Sequence, residues 1–175
     1  MVAADGRASV LREAAGLKVR DIGAPIDVLW LRLPKRTDDP DETGGYVVAG
    51  QMLVTINRGS YWQCAFVIGK GGIEAVHSRG LADFRAEVAR AAPFLADRVE
   101  QIASWDDVKL LSVKVDRLEQ WWTPGLLCIG DAAHAMSPVG GVGINLAVQD
   151  AVATANLLGR ALADAQLAPE RLTPL

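Results

Sequence analysis

Asp131 stands directly after Gly130 at the end of a short apolar run, Leu126, Leu127, Cys128 and Ile129, which reads as a buried strand. A loop of small residues follows over 132–143, carrying Pro138 and the glycines Gly140, Gly141 and Gly143. From Ile144 the spacing predicts a helix, with Ile144, Ala147, Val148, Ala151, Ala155, Leu158 and Leu162 on one face. Asn145 falls in its first turn and Asp150 lies further along it. Strand, glycine loop and helix N-terminus make a place where a flat or anionic ligand can approach bare backbone. Glycines remove the Cβ atoms that would hold it off. Free N–H groups and the positive end of the helix dipole favour negative charge there. The competing reading is an ordinary strand–loop–helix corner whose glycines only serve turns.

Other chemistry is sparse. His77 and His134 are the only histidines, and neither has a metal-ligand companion, so no metal site is expected. His77 reads as a surface or packing residue. Cys64 and Cys128 both sit in apolar runs and read as small buried hydrophobes, outside any disulfide framework. There is no HExxH, no paired CxxC, no GxxxxGK[ST] and no GxGxxG.

The elements that must position Asp131 begin at the first residues. Met1 to Ala4 resembles the end of a strand, and Asp5-Gly6 turns it into Ser9, which is placed to cap a short helix over 11–15. Residues 26–33 alternate with strong β formers and predict a strand closed by Pro34. Residues 46–49, 52–57 and 61–68 predict three more, joined by short turns into an antiparallel sheet. Trp30, Tyr61 and Trp62 lie on these strands, and filling the sheet–helix core is the favoured role over facing a substrate. Leu81, Phe84, Val88 and Ala91 share a helix face. Pro93 ends that helix and opens a second over 94–102. Residues 110–115 alternate as a strand, Pro124-Gly125 turns the chain into Leu126, and from Ala161 a Pro-bearing tail is expected.

Composition narrows the function classes. The chain has 175 residues, 50% hydrophobic and 22% charged, which suits a packed core of one sizeable domain or pieces of two. Net charge is −3 without a basic block, so neither nucleic acid nor an anionic membrane is an expected partner. No apolar signal region opens the chain and no run of 18 apolar residues occurs, which makes a soluble cytoplasmic protein the default.

The ordered series Gly130-Asp131, Pro138, Gly140-Gly141-x-Gly143 and Asn145 resembles the second flavin-contacting segment of the FAD-dependent aromatic hydroxylases, the p-hydroxybenzoate hydroxylase-like flavoprotein monooxygenases. Residues 4–12 are similar to that family's Gly-Ala-Asp-Gly-x-x-Ser-x-x-Arg element, with Ala3 in place of the usual glycine. The resemblance implies a mixed α/β fold: an incomplete Rossmann-like FAD-binding domain with an antiparallel substrate-side sheet. It implies FAD-binding parts at 1–22 and 104–175, and at 23–103 a sheet with covering helices forming the substrate-side wall over the flavin.

By the same resemblance the cofactor-binding residues are Asp131, Pro138, Gly140, Gly141, Gly143, Ile144, Asn145 and Asp5. Asp131 would hold the ribityl hydroxyls, and Pro138 would lie near the flavin carbon that reacts with oxygen. Asp5-Gly6 would lie near the pyrophosphate and affect NAD(P)H use, and His134 would orient the loop. The activity implied is hydroxylation of an aromatic or related organic substrate with NAD(P)H and O2. A reductase or dehydrogenase of the same superfamily, or a truncated non-catalytic remnant, are the alternatives. Because the dinucleotide fingerprint is absent, the resemblance covers only the middle and later part of the family's architecture. An N-terminal half of the same fold is then the expected partner, and the chain alone is expected to be inactive.

Overall fold

In the computed structural model, which describes residues 1–163 apart from the side chains of Val139 and Leu162, the chain opens on β1 (Val2–Ala3). Ser9 then caps α1 (Val10–Ala14), its Oγ accepting the Arg12 N–H at 3.1 Å, as the sequence predicts. β2 (Val19–Asp21) follows, an exposed strand with no alternation to betray it.

Next come β3 (Ile26–Pro34), β4 (Gly44–Val48), β5 (Gln51–Asn57) and β6 (Tyr61–Gly69). Two helices follow, α2 (Ile73–Arg79) and α3 (Leu81–Ala91), then a 3-10 helix Pro93–Gln101 and β7 (Lys109–Leu111). These strands form one antiparallel sheet in the order β4-β5-β6-β3-β7. Alternation sends Leu29, Leu31 and Leu33 of β3 and Trp62, Cys64 and Phe66 of β6 to one face, where they bury against Phe84, Val88 and Leu95. Phe66 meets Phe84 edge-on, with ring centroids 5.3 Å apart. Trp62 is fully buried, so of the three candidate aromatics it is a core residue. Trp30 and Tyr61 alternate onto the opposite face, and the Arg32 guanidinium lies 5.2 Å from the Tyr61 ring centre. Burial pushes the Cys64 thiol up to about 12, as suits an inert packing residue.

The run expected as one strand over 110–115 is broken. β7 ends at Leu111, and β8 (Asp116–Leu118) belongs to a different sheet. The cause is Asp27, a buried side chain whose Oδ1 accepts the Val113 N–H at 2.8 Å. Lys70 Nζ bonds Asp27 Oδ1 at 2.8 Å and the Val113 carbonyl at 2.6 Å. These side chains take the backbone groups of Val113 that a ladder would have used. Burial raises the Asp27 carboxyl, but the Lys70 bond and the N–H groups of Gly71 and Val113 outweigh it and hold it below its ordinary value.

β9 (Trp122–Thr123) and β10 (Leu126–Cys128) then form a hairpin through Gly125, and β1 lies parallel to β10, Val2 opposite Leu127 and Ala3 opposite Cys128. β11 (His134–Ala135) pairs with β8, which pairs with β2. α4 (Gly143–Ala163) completes the description, and the expected tail beyond residue 163 lies outside the described residues. The chain divides into two compact units, Met1–Ala24 with Lys114–Leu175 and Pro25–Val113. β7 pairs with β3 and so belongs to the large sheet. Among the described residues no helix is long and apolar enough to cross a membrane.

On α4 the buried face differs from the expected one. Of the expected face, Leu158 is buried and Ala147 half-buried, but Ile144, Val148, Ala151 and Ala155 are exposed, while Thr154 and Ala161 are buried and Asp150 is half-buried. Leu162, expected on the same face, has its side chain outside the described set. Polar Asp150 turns inward because it has partners there, described next.

Candidate functional site

Gly130 makes the turn at the end of β10 with φ +57, a left-handed conformation that a side chain disfavours. A Cβ built there would sit 3.2 Å from the Cβ of Ala147, so the turn lies against α4 where only small residues fit. The Gly130 N–H donates to Asp150 Oδ2 at 2.8 Å, and His134 Nε2 lies 2.6 Å from the same oxygen. The Trp121 ring packs beside His134 with centroids 5.0 Å apart.

The other side of the turn is held by Arg12. Its Nη1 donates to the Ala132 carbonyl at 3.2 Å and its Nη2 to the Arg7 carbonyl at 2.6 Å. Nη1 also lies 3.6 Å from Asp116 Oδ1, while Lys114 Nζ approaches Oδ2 to 3.1 Å. The Asp116 side chain is fully buried and neither oxygen has an aligned hydrogen bond, so the two cations balance its charge through space.

With its backbone fixed on both sides, Asp131 presents a carboxylate that is 36% exposed, with Oδ2 3.4 Å from Arg7 Nη2. A cleft of about 340 Å³ opens beside it, walled by Ala4, Gly6, Gly130, Asp131, Gly143 and Ile144 among others. Of the residues singled out in the sequence, Asp131, Gly143 and Ile144 are therefore brought together. Pro138, Gly140, Gly141, Asn145 and Asp5 do not line this cleft. Pro138–Gly140 form a 3-10 turn closed by the Gly141 N–H on the Pro138 carbonyl at 3.0 Å, with Gly141 at φ +62. Asn145 is exposed in the first turn of α4. Asp5 meets the start of α1: the Ser9 hydroxyl, and then the Leu11 N–H at 3.3 Å, hold its carboxyl below the ordinary value.

Sequence reasoning did not single out Asp116, which follows the alternating run over 110–115 with nothing to distinguish it. It placed Arg12 only as the last residue of the motif over 4–12, and Asp150 only as a residue one turn beyond Asn145.

Residues 1–169 match the family described as FAD binding domain. The 6-methylpretetramide 4-monooxygenase of Streptomyces rimosus is 39% identical over 158 residues, covering 87% of this chain and 37% of that protein. The kynurenine 3-monooxygenase of Xanthomonas euvesicatoria is 28% identical over 176 residues, covering 90% and 38%. PqsL of P. aeruginosa in complex with 2-aminobenzoylacetate superposes with a TM-score of 0.80 over 99% of this chain and 48% of that one. At 23% identity that likeness is one of fold. The chain spans less than two-fifths of the length of the two curated relatives named.

Proposed function

The chain belongs to the FAD binding domain family, and from that premise we propose that it is part of an FAD-dependent monooxygenase. The reaction is hydroxylation of an aromatic or related organic substrate, with NAD(P)H and O2 as co-substrates, in the cytoplasm. In this reading Met1–Ala24 with Lys114–Leu175 serves the flavin, and Pro25–Val113 serves the organic substrate. The remainder of the FAD fold is its partner. The naming of the relatives as 6-methylpretetramide and kynurenine monooxygenases supports the substrate class.

The observation that carries the reading is the cleft beside Asp131. Its wall offers glycine and alanine at Ala4, Gly6, Gly130 and Gly143, one carboxylate, and the N-terminus of a 21-residue helix. A planar ring on a hydroxylated chain fits that set: short side chains admit the ring, and an acceptor-only carboxylate suits hydroxyl donors. Asp131 takes the ribityl hydroxyls. The leading N–H groups of α4, at Gly143, Ile144 and Asn145, stabilise negative charge at the edge of the ring, in the manner of preorganised dipoles. Pro138, Gly140 and Gly141 shape the loop beside the ring, and Asp5 stands by the pyrophosphate. When bound, FAD supplies hydride acceptance and oxygen activation, while the chain orients it and excludes water.

The complete protein tests this by substrate-dependent O2 uptake under labelled oxygen. Incorporation of one labelled atom into product is expected. Flavin turnover without incorporation assigns the site to a reductase or dehydrogenase instead.

A further inference from the structure

One oxygen of Asp150, Oδ2, receives two donors from the same short stretch, the Gly130 N–H at 2.8 Å and His134 Nε2 at 2.6 Å. An ionised carboxylate only accepts, so Nε2 carries the hydrogen in this contact. Both side chains are largely buried, at 16% and 17% exposed, and neither lines the cleft beside Asp131. Asp150 also lies one turn beyond Ala147, whose Cβ abuts the site of the absent Gly130 side chain. One stripe of α4 therefore holds the turn twice, by shape at Ala147 and by directed hydrogen bonds at Asp150.

Burying a carboxylate here costs desolvation free energy that an apolar residue would avoid. What the carboxylate provides is direction. Apolar packing lets a strand end slide along a helix, whereas two bonds to one oxygen fix both its height and its rotation. Asp131 is the next residue after the held Gly130, and the free N–H groups of α4 lie two turns before Asp150 on the same rigid helix.

We propose that His134 and Asp150 are a positioning pair for the flavin, setting the distance between the Asp131 carboxylate and the N-terminus of α4. They act through Gly130 and α4 and do not touch the ligand. The inference rests on the cofactor site assigned above.

The test uses the complete protein with Asp150→Ala, His134→Ala, the double variant and Asp131→Ala. Alanine favours helix, so the change at 150 does not itself weaken α4. FAD affinity by fluorescence, the visible spectrum of bound flavin and the melting temperature of the apoprotein are read for each. Each single change is expected to weaken FAD at least tenfold and to shift the flavin bands, and the double variant to be no more than threefold worse than the weaker single. Losses that multiply in the double variant overturn the pair. So do single changes that lower the apoprotein melting temperature while affinity and spectrum stay put, since that is a packing role alone. If Asp131→Ala binds FAD as tightly as the parent, the site assignment fails and the pair with it. Should an alanine variant fail to fold, His134→Gln, which keeps a donor, is set against His134→Phe, which keeps a ring beside Trp121. Gln retaining FAD better supports the pair, and the reverse order overturns it.

Discussion

Arg12 Nη1 donates to the carbonyl oxygen of Ala132 at 3.2 Å, across 120 positions of chain. The same guanidinium holds the Arg7 carbonyl, so one buried side chain ties the turn after Asp5-Gly6 to the loop that carries Asp131. Arg12→Met is expected to lower stability by about 3 kcal/mol, because Asp116 then stays buried with Lys114 as its remaining cation. Urea unfolding measures it. Arg12→Lys should recover less than half, since an ammonium cannot fork between two carbonyls.

Asp131→Ala in the complete protein should weaken FAD by a factor corresponding to about 1.5–3 kcal/mol, the loss of one charge-assisted hydrogen bond. Its side chain is partly exposed and, among the described residues, pairs with Arg7, so the melting temperature of the apoprotein should stay close to the parent value. Equilibrium titration of flavin fluorescence checks the first expectation and calorimetry the second.

At Gly130 two costs coincide, and a second change separates them. Gly130→Ala meets both the positive φ and Ala147, so about 2–3 kcal/mol of stability should go. Adding Ala147→Gly should restore only the packing share. Gly141, at φ +62 with none of the described residues within 4 Å of a built Cβ, carries the backbone cost alone, about 1–2 kcal/mol for Gly141→Ala. A Gly130→Ala penalty no larger than that at Gly141 would sink the close-approach argument.

Asp39 predicts an acid limit for the sheet unit. Arg98 forks onto its two oxygens at 2.7 and 2.8 Å, and Trp62 Nε1 donates at 2.8 Å. Burial pushes the carboxyl up, but the bonds from Arg98, the Arg36 N–H and Trp62 prevail and bring it from 3.8 to about 2. A depressed folded value stabilises above the unfolded value and is lost as pH falls through the folded one. About 2 kcal/mol should therefore be present above pH 4 and gone near pH 2. Unfolding curves between pH 6 and 2 measure the loss, and Asp39→Asn should flatten that slope while starting from lower stability.

Local pattern was enough where packing is local. Alternation and short turns placed β3 to β6, and the spacing of Phe84, Val88 and Ala91 placed α3. Pattern failed where a distant side chain competed with the backbone. Residues 110–115 alternate without interruption, yet Asp27 and Lys70 pull Val113 off the ladder, and neither is near it in sequence. On α4 the apolar stripe pointed to Ile144 and Val148, but a carboxylate with two donors waiting for it turned inward instead. The Gly-Asp loop was legible because its residue types are unusual. Arg12 was legible only as the last residue of the motif over 4–12, with no sign that it holds this loop, and Asp116 was not, since an aspartate beside alternating residues looks like any solvated one.

The parallel pairing of β1 with β10 joins residues 2–3 to residues 127–128, and this imposes an order on synthesis. As the chain leaves the ribosome, Pro25–Val113 already holds every strand of its five-stranded sheet once Leu111 has emerged. The β1–β10 pairing must wait for residues 126–128, so the inserted unit can gain its structure before that pairing forms. Nascent chains stalled with Val113 emerged should already protect 25–113 from protease, and cleavage within 25–113 until residue 128 has emerged would reverse the order.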